Sequence, residues 1–216
     1  TYTEITGGTS LGSTTTDDQR FVDPAVPLGG TTNTGPGFDI GFNFVYNGIT
    51  FDRVAIAANG WISLGQSSLT PSVDINSTSQ YTPLSSTATN TPTLLRHRIA
   101  GMGADLQAQA GASLRIQTTG SAPNRVLVVQ WKDYKRFGQT GPTLNFQIRL
   151  YETTNVVEIH YGNNVPNATT NGFHVGLGGD VSTDFNNRTT SSPHNWNNSF
   201  RGTANTNTSV LVTNAI

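Results

Sequence analysis

Cysteine is absent from the 216 residues of this chain, and charged side chains are scarce. The first absence excludes disulfide bonds, thiolate metal sites and a cysteine nucleophile. Charged residues make up 12% of the chain, about half of the share that is usual in globular proteins. The balance is 12 basic against 13 acidic side chains. This composition argues against nucleic-acid binding and against attachment to an anionic membrane surface.

Long apolar runs are also missing. A membrane-spanning helix needs about 20 consecutive apolar residues, and no stretch approaches that length, so we expect no membrane insertion. Apolar residues do not follow a helical period, and 23 Gly and 10 Pro interrupt nearly every window. The chain opens directly at Thr1, which we interpret as a mature secreted protein whose leader has been removed.

Residue patterns typical of enzymes are weak. The chain has three glutamates, whereas a glycosidase needs two carboxylates flanking the bond. Most of the aspartates adjoin turn residues, where their usual role is to cap the turn. No His-Glu-x-x-His zinc motif is present. We therefore predict that the chain is not an enzyme, has no catalytic residues and binds no cofactor.

The best metal hypothesis concerns Glu158, His160 and His174. The first two share a strand face, and all three converge on a zinc ion if their strands are neighbours. The alternative is a solvated polar face with surface histidines, and on balance we predict no metal site. Calcium is a weaker hypothesis, because its acidic candidates lack calcium-loop spacing. These candidates are Asp17 with Asp18, and Asp180 with Asp184.

Extended segments with alternating polarity dominate what is present. Residues 124–162 contain three such runs, joined by short polar connections. In the second run Phe146, Ile148 and Leu150 alternate with polar residues, and this period of two predicts one face on a core and one in water. On this reading Asn145, Gln147 and Arg149 face the solvent.

Further strands are predicted on both sides of these runs. Asn47-Gly48 is a strong hairpin signal between residues 38–46 and a return strand at 50–57. We predict more strands at residues 99–106 and 112–118, separated at Gly111, and a structured loop at residues 13–36. The fold class is therefore all-β, a single antiparallel two-sheet β-sandwich over residues 1–216, jelly-roll-like and essentially without helix. Residues 66–93 and 180–207 form long irregular loops.

Several motifs resemble a known family. The chain is similar to a β-sandwich module of large secreted or cell-surface proteins, adhesin-like and exported by the type IX route in Bacteroidota-type bacteria. This resemblance implies a cell-surface or adhesive role, and it supplies no catalytic residues. Members usually continue into a further strand, so the end at Ile216 predicts an open sheet edge. The matching segments include Gly41-Phe-Asn-Phe-Val-Tyr-Asn-Gly, Asn59-Gly-Trp-Ile-Ser-Leu-Gly, Arg125-Val-Leu-Val-Val-Gln-Trp-Lys and Asn145-Phe-Gln-Ile-Arg-Leu-Tyr-Glu.

Aromatic side chains suggest one binding hypothesis, carbohydrate recognition through the loops at 66–93 and 180–207. Trp61 and Trp131 lie in strand-like runs and are expected in the core. Trp196 lies in a polar loop, where it either binds a ligand or pins the loop to the core. The candidate ligand-binding residues are Trp196, Tyr81 and Asn195.

The chain ends suggest the leading hypothesis. Residues 1–6 and 208–213 are strand-like, and a terminal strand can be lent to a neighbouring molecule. The candidate assembly residues are Tyr2, Ile5, Val210 and Val212. The alternative, which the sequence slightly favours, is that both strands pair inside their own domain. We therefore predict a non-enzymatic extracellular structural or adhesive module, with filament formation by terminal-strand addition as one hypothesis. Its expected partners are copies of itself, other surface proteins or glycans.

Overall fold

The computed structural model describes residues 1–12, 17–75, 81–84, 97–140, 143–164, 173–181, 183–187 and 200–201. In these residues the chain forms β-strands and no helix, which confirms the predicted all-β class. None of the described elements is a helix that could cross a membrane. The first seven strands are β1 (Thr9–Ser10), β2 (Arg20–Phe21), β3 (Thr34–Gly35), β4 (Phe38–Tyr46), β5 (Ile49–Ala57), β6 (Trp61–Gly65) and β7 (Val73–Asp74). The others are β8 (Arg98–Gly103), β9 (Leu106–Thr119), β10 (Val126–Arg136), β11 (Leu144–Tyr151), β12 (Val157–Tyr161), β13 (His174–Gly178), β14 (Phe185–Asn187) and β15 (Phe200–Arg201).

Two antiparallel sheets pack face to face. The first has the order β1-β9-β10-β11-β12-β15, and the second has the order β14-β13-β8-β6-β5-β2, with β4 also paired to β5. A small third sheet joins β3 to β7. Consecutive strands are mostly neighbours because short turns connect them. Asn47 and Gly48 both have positive φ (52° and 74°) between β4 and β5, as a two-residue hairpin requires. The sandwich and this hairpin are therefore confirmed.

The core lies between the two sheets. Polar groups on buried aromatic side chains form hydrogen bonds from one sheet to the other. The Trp131 ring stacks on Phe146 with 4.8 Å between centroids, and its indole N–H donates to the carbonyl oxygen of Ala57 at 3.3 Å. The Tyr161 hydroxyl likewise donates across the sandwich to Gly101 at 2.8 Å. Burying each of these side chains stabilises the fold by about 1.5–3 kcal/mol, and the hydrogen bonds fix how the sheets align.

Two strand predictions were wrong in detail. Gly111 does not divide two strands, because β9 runs through it with φ at 84°. Its pairing with β10 shifts register between Lys132 and Tyr134, so the glycine forms a bulge within one long strand. The break falls earlier, at Ala104 and Asp105. Residues 1–6 contain no strand; the first strand residues are those of β1.

A second, smaller apolar cluster covers the outer face of the second sheet. Trp61 and Ala100 on this face pack with Val73, Ile75 and Leu84 from the segment predicted as an irregular loop. That segment is therefore part of the packed structure, and it contributes β7. The Arg98 guanidinium lies 4.0 Å from the Trp61 ring centroid in this layer, and burial lowers its pKa to about 9.

Two side chains, one from β9 and one just before β10, close the free edge of β4. Between Asp39 and Phe44 this strand loses its regular pairing with β5, which leaves backbone groups without ladder partners. The Thr118 hydroxyl donates to the carbonyl of Ile40 at 2.7 Å, and Arg125 donates to the carbonyl of Gly41. An open edge of this kind invites pairing with another chain, and these side chains occupy it.

Arg125 also binds Glu152, and this pair makes a testable prediction about acid stability. Its Nε and Nη2 atoms lie 2.8 and 2.5 Å from the two carboxylate oxygens, and these hydrogen bonds lower the pKa of Glu152 to about 2 from an ordinary value of 4.5. A lowered folded-state pKa stabilises the protein above the unfolded value and loses this effect as the pH falls. Arg125→Ala should therefore lower Tm at pH 7, and its difference from the wild type should shrink between pH 4.5 and 2.

Circular dichroism melts at pH 7, 4 and 2.5 measure this difference. Arg115→Ala is the control, because Arg115 contacts the carbonyl of Gly7 instead of a carboxylate. A wild-type-to-variant difference in Tm that remains constant down to pH 2.5 contradicts the assignment.

Candidate functional site

Three polar side chains form a row across the outer face of the first sheet. Gln130 on β10 pairs in register with Gln147 on β11, which in turn pairs with His160 on β12. These side chains point away from the core, yet only 1%, 0% and 6% of their surfaces are exposed. We call these three residues the polar row. Their burial means that something other than water covers this face of the sheet.

The cover is the start of the chain. The backbone of residues 1–5, here called the N-terminal segment, crosses the three strands and bonds to the polar row at every second residue. The Gln130 amide both accepts from the Ile5 N–H (2.8 Å) and donates to the Ile5 carbonyl (3.1 Å). Gln147 donates to the carbonyl of Thr3 at 2.7 Å, and His160 Nδ1 lies 3.1 Å from the carbonyl oxygen of Thr1. Alternate backbone groups on one side are what an extended segment presents.

Neighbouring side chains orient the glutamines of the row. Gln147 donates from Nε2 to Gln130 Oε1 at 2.7 Å. Its own oxygen accepts from Nε and Nη2 of Arg149 at 2.9 and 2.6 Å. The guanidinium therefore determines which end of the Gln147 amide faces the N-terminal segment. The Gln147 amide is therefore held by neighbours on the sheet as well as by the segment.

His160 is held from its other side by a carboxylate. Its Nε2 lies 2.7 Å from Glu158 Oε2, and the Tyr151 hydroxyl donates to the same oxygen at 2.6 Å. The carbonyl of Thr1 is an acceptor, so the contact at Nδ1 is a hydrogen bond when that ring nitrogen carries a proton. Glu158 and Tyr151 orient the ring toward Thr1 from its other side.

Two side chains of the N-terminal segment also contact the sheet. The Tyr2 ring packs against Gly162, where a Cβ atom would lie 2.9 Å from the ring. Its hydroxyl is buried and has no hydrogen-bond partner among the described residues, and burial raises the pKa of this phenol. Glu4 pairs with Lys132 at 2.8 Å. The segment is therefore held through its backbone and through two side chains.

The contacts of Gln147 make a testable prediction. Gln147→Ala removes the bond to Thr3 and leaves Gln130 without its neighbour, which should cost about 1–3 kcal/mol of stability. We expect the Ile5 amide, which Gln130 protects, to exchange its hydrogen faster in the variant. Hydrogen exchange followed by NMR measures this rate. Gln109→Ala on β9 is the matched control, and an unchanged exchange rate at Ile5 in Gln147→Ala contradicts the proposed contacts.

The predicted assembly residues are only partly described. Tyr2 and Ile5 do lie on the sheet, but as part of a segment that crosses the strands rather than as a strand itself. Val210 and Val212 lie outside the described residues, as do Trp196 and Asn195 of the ligand hypothesis. Tyr81 is described, and 44% of its surface is exposed. The predicted core tryptophans, Trp61 and Trp131, are both fully buried, which confirms that prediction.

The zinc hypothesis was wrong because its histidines lie in different sheets. His160 and Glu158 belong to β12 of the first sheet, whereas His174 begins β13 of the second. Instead of meeting the other two, the His174 Nδ1 accepts from the backbone N–H of Leu84 at 3.1 Å, and burial lowers its pKa. The three residues therefore do not converge.

The glutamines of the polar row were missed because a period of two was equated with exposure of the polar face. Gln147, Asn145 and the face of Glu158 and His160 were expected in water, and the N-terminal segment or its neighbours bury them. One signal was available. The run Val-Leu-Val-Val before Gln130 is apolar at every position, which is typical of a strand covered on both faces.

A cluster of three aspartates lies at the start of β9. Carboxylate oxygens of Asp17, Asp18 and Asp105 are within 4.8 Å of one another, and Asn59 donates to Asp18 at 2.7 Å. Burial, followed by the charges of its two neighbours, raises the pKa of Asp17 to about 6. Clustered carboxylates suit calcium, and the structure adds Asp105 to the pair that the sequence indicated.

A cavity of about 280 Å³ lies beside the second sheet. Residues from both predicted ligand loops line it, among them Gln66 and Asp74 from the first and Asp180 from the second. His97 completes this wall. Its Nε2 lies 3.5 Å from Asp180, its ring packs on Phe51 with 4.7 Å between centroids, and its φ is 48°. Such a conformation is uncommon for a residue with a side chain and often accompanies function.

One short motif is explained by the fold. Gly8-Thr-Ser-Leu-Gly has the G-x-S-x-G spacing of a nucleophile elbow, which requires the serine at a strand-to-helix turn. Ser10 instead lies within β1, paired in register with Arg115 of β9. This serine therefore does not occupy the position that the motif needs.

Comparison with known proteins gives one match. The family whose sequence profile fits this chain is described as NIDO related, and the match covers residues 1–214. The search of curated proteins and the search of solved structures gave no significant match. The narrower resemblance to type IX-exported modules of Bacteroidota stays a prediction. Because the match extends over nearly the entire chain, the protein belongs to the NIDO-related family.

Proposed function

We propose that this protein is a non-enzymatic extracellular structural or adhesive module that associates with copies of itself through its N-terminal segment. NIDO-related domains are typically extracellular, and the family suggests a structural or adhesive role. The observation that carries the proposal is the polar row, which holds residues 1–5 on the sheet through hydrogen bonds. A surface that binds an extended segment of its own chain presents the same groups to that segment from a neighbour.

The connection to the N-terminal segment supports exchange between molecules. Gly7 and Gly8 separate the segment from β1, and Gly8 has φ at 72°. Glycines tolerate a wide range of backbone angles. Rotation at Gly7 and Gly8 therefore allows the segment to point away from its own sheet and toward a neighbouring molecule. Exchange in a closed pair gives a dimer, and exchange that does not close gives a filament.

We propose no catalytic role for the titratable groups on the outer face of the first sheet, because of the contacts that they make. Glu158 is bonded to Tyr151 and His160, and His160 lies against the backbone of Thr1. The two residues are 9% and 6% exposed. In this arrangement we infer that they position the segment.

Deletion of residues 1–6 tests self-association. We expect the wild-type chain to form oligomers as its concentration rises and the deletion variant to remain a monomer, because the variant has no segment to lend. Light scattering coupled to size-exclusion chromatography measures particle mass, and electron microscopy shows whether filaments form. Gln147→Ala removes the same hydrogen bonds from the monomer and from the exchanged form, so we expect it to change the dissociation constant of the oligomer little, as in the control Gln109→Ala. Wild-type protein that is monomeric at every concentration refutes the proposal.

Carbohydrate recognition is a second candidate, and the cavity beside His97 favours it. Residues of the two loops that were predicted to bind a glycan line this cavity together. Carboxylate, amide and hydroxyl groups of Asp74, Asp180, Gln66 and Ser72 offer hydrogen-bond partners for sugar hydroxyls, next to the apolar side chain of Leu69. This combination of a few polar groups with apolar wall is common in ligand sites.

A glycan array tests this second function. Asp180→Asn removes one acceptor charge at the cavity, and Trp196→Ala removes the loop tryptophan; if these loops bind a sugar, we expect each change to weaken the signal about tenfold. Asp23→Asn, in a turn outside the cavity, is the control. If the wild-type protein binds no glycan on the array, carbohydrate recognition is excluded for the sugars tested.

A further inference from the structure

We propose that the outer face of β10, β11 and β12 is a receptor site that selects the sequence of the segment it binds. The selected segment is extended, with an aromatic residue followed two positions later by an acidic residue. Its occupant is residues 1–5 of a second copy of this chain, and this identification rests on the self-association proposed above. The selectivity itself can be tested with a free peptide, whatever the outcome for assembly.

Backbone contacts determine the register of the bound segment. The Gln130 amide bonds to both the N–H and the carbonyl of Ile5, as a residue of a neighbouring strand does. Donors on Gln147 and His160 then require carbonyl groups two and four residues earlier. These bonds are indifferent to side chains, so they fix which positions of the segment face which part of the sheet.

The aromatic position is created by Gly162. The Tyr2 ring occupies the space that a side chain would fill, with Cδ1 and Cε1 each 2.9 Å from the position of a Cβ atom. Gly162 is not among the glycines with positive φ, so an alanine there is strained by contacts and not by its backbone: chiefly by the ring, and less by the Cβ of Asn145 at 3.1 Å. Because the Tyr2 hydroxyl is buried without a partner among the described residues, phenylalanine should fit at least as well as tyrosine.

The acidic position is created by Lys132. Its Nζ lies 2.8 Å from Glu4, and hydrogen bonding to that carboxylate raises the pKa of the lysine. Both side chains are more than a third exposed, at 34% and 42%, so the pair contributes little affinity. Opposite charges at this position chiefly exclude segments with a basic residue there.

The experiment uses the chain lacking residues 1–6 and the peptide acetyl-Thr-Tyr-Thr-Glu-Ile-Thr-amide, titrated by NMR. We expect saturable binding with shifts at Gln130 and Gln147. Phenylalanine at the second position should bind as tightly or more tightly, and alanine there about tenfold more weakly. Lysine at the fourth position should bind about threefold more weakly, and Lys132→Glu in the protein should restore that peptide.

Two glycine variants provide a matched pair. Gly162→Ala should weaken the tyrosine peptide and affect the alanine peptide less. The tyrosine ring meets the new methyl group only in the first case, whereas the Cβ of Asn145, 3.1 Å from the same position, meets it in both. Gly30→Ala is the control, since no atom lies within 4 Å of the position of its added Cβ and its φ is not positive. In the full-length chain, Gly162→Ala should also speed hydrogen exchange at Ile5. This measurement replaces the titration if the shortened chain does not fold.

The outcomes separate the two proposals. Peptide binding with the stated preferences, together with a monomeric full-length chain, supports the receptor site and refutes self-association. No binding to the folded shortened chain, or equal binding of a scrambled peptide, overturns the receptor site. Unchanged exchange at Ile5 in full-length Gly162→Ala overturns it as well.

Discussion

A polar group that leaves water must find a hydrogen-bond partner, and this constraint governs the outer faces of the sandwich as much as its core. An unpaired buried amide costs about 1–3 kcal/mol. Gln130 and Gln147 are almost completely buried, and the N-terminal segment supplies hydrogen-bond partners for both. The same requirement suits the site to a peptide backbone. A glutamine amide has one acceptor and one donor group, and the N–H and carbonyl of a backbone residue pair with both, as those of Ile5 do.

Side chains take the place of a missing strand at two points of this fold. On the face of the first sheet, the amide of Gln130 completes the backbone bonds of Ile5. At the edge of β4, Thr118 and Arg125 complete those of Ile40 and Gly41. In both cases a backbone that lacks a ladder partner is satisfied by the opposing layer. The edge is closed by Thr118 of β9 and by Arg125 just before β10, whereas the face is closed by residues 1–5, which Gly7 and Gly8 connect to β1.

Local patterns predicted the strands well and their surroundings poorly. Phe146, Ile148 and Leu150 lie in the core as their spacing indicates, because alternation is a property of one strand. Gln147 lies beneath residues that are far away in sequence; the equivalent contact of Gln130 with Ile5 spans 125 residues. No short-range pattern records such a contact. The separation of His160 from His174 has the same origin, since it depends on which sheet each strand joins.

The composition of the polar row determines how it holds its segment. Glutamine is neutral, so its burial at Gln130 and Gln147 avoids the large desolvation cost that a charged side chain would incur. His160, at the end of the row next to Thr1, is oriented by Glu158, which also accepts from Tyr151. The row therefore contacts Ile5 through an amide that both donates and accepts, and Thr1 through one ring nitrogen. Two bonds at Ile5 against one contact at Thr1 make Ile5 the residue at which the register of the segment is fixed most firmly.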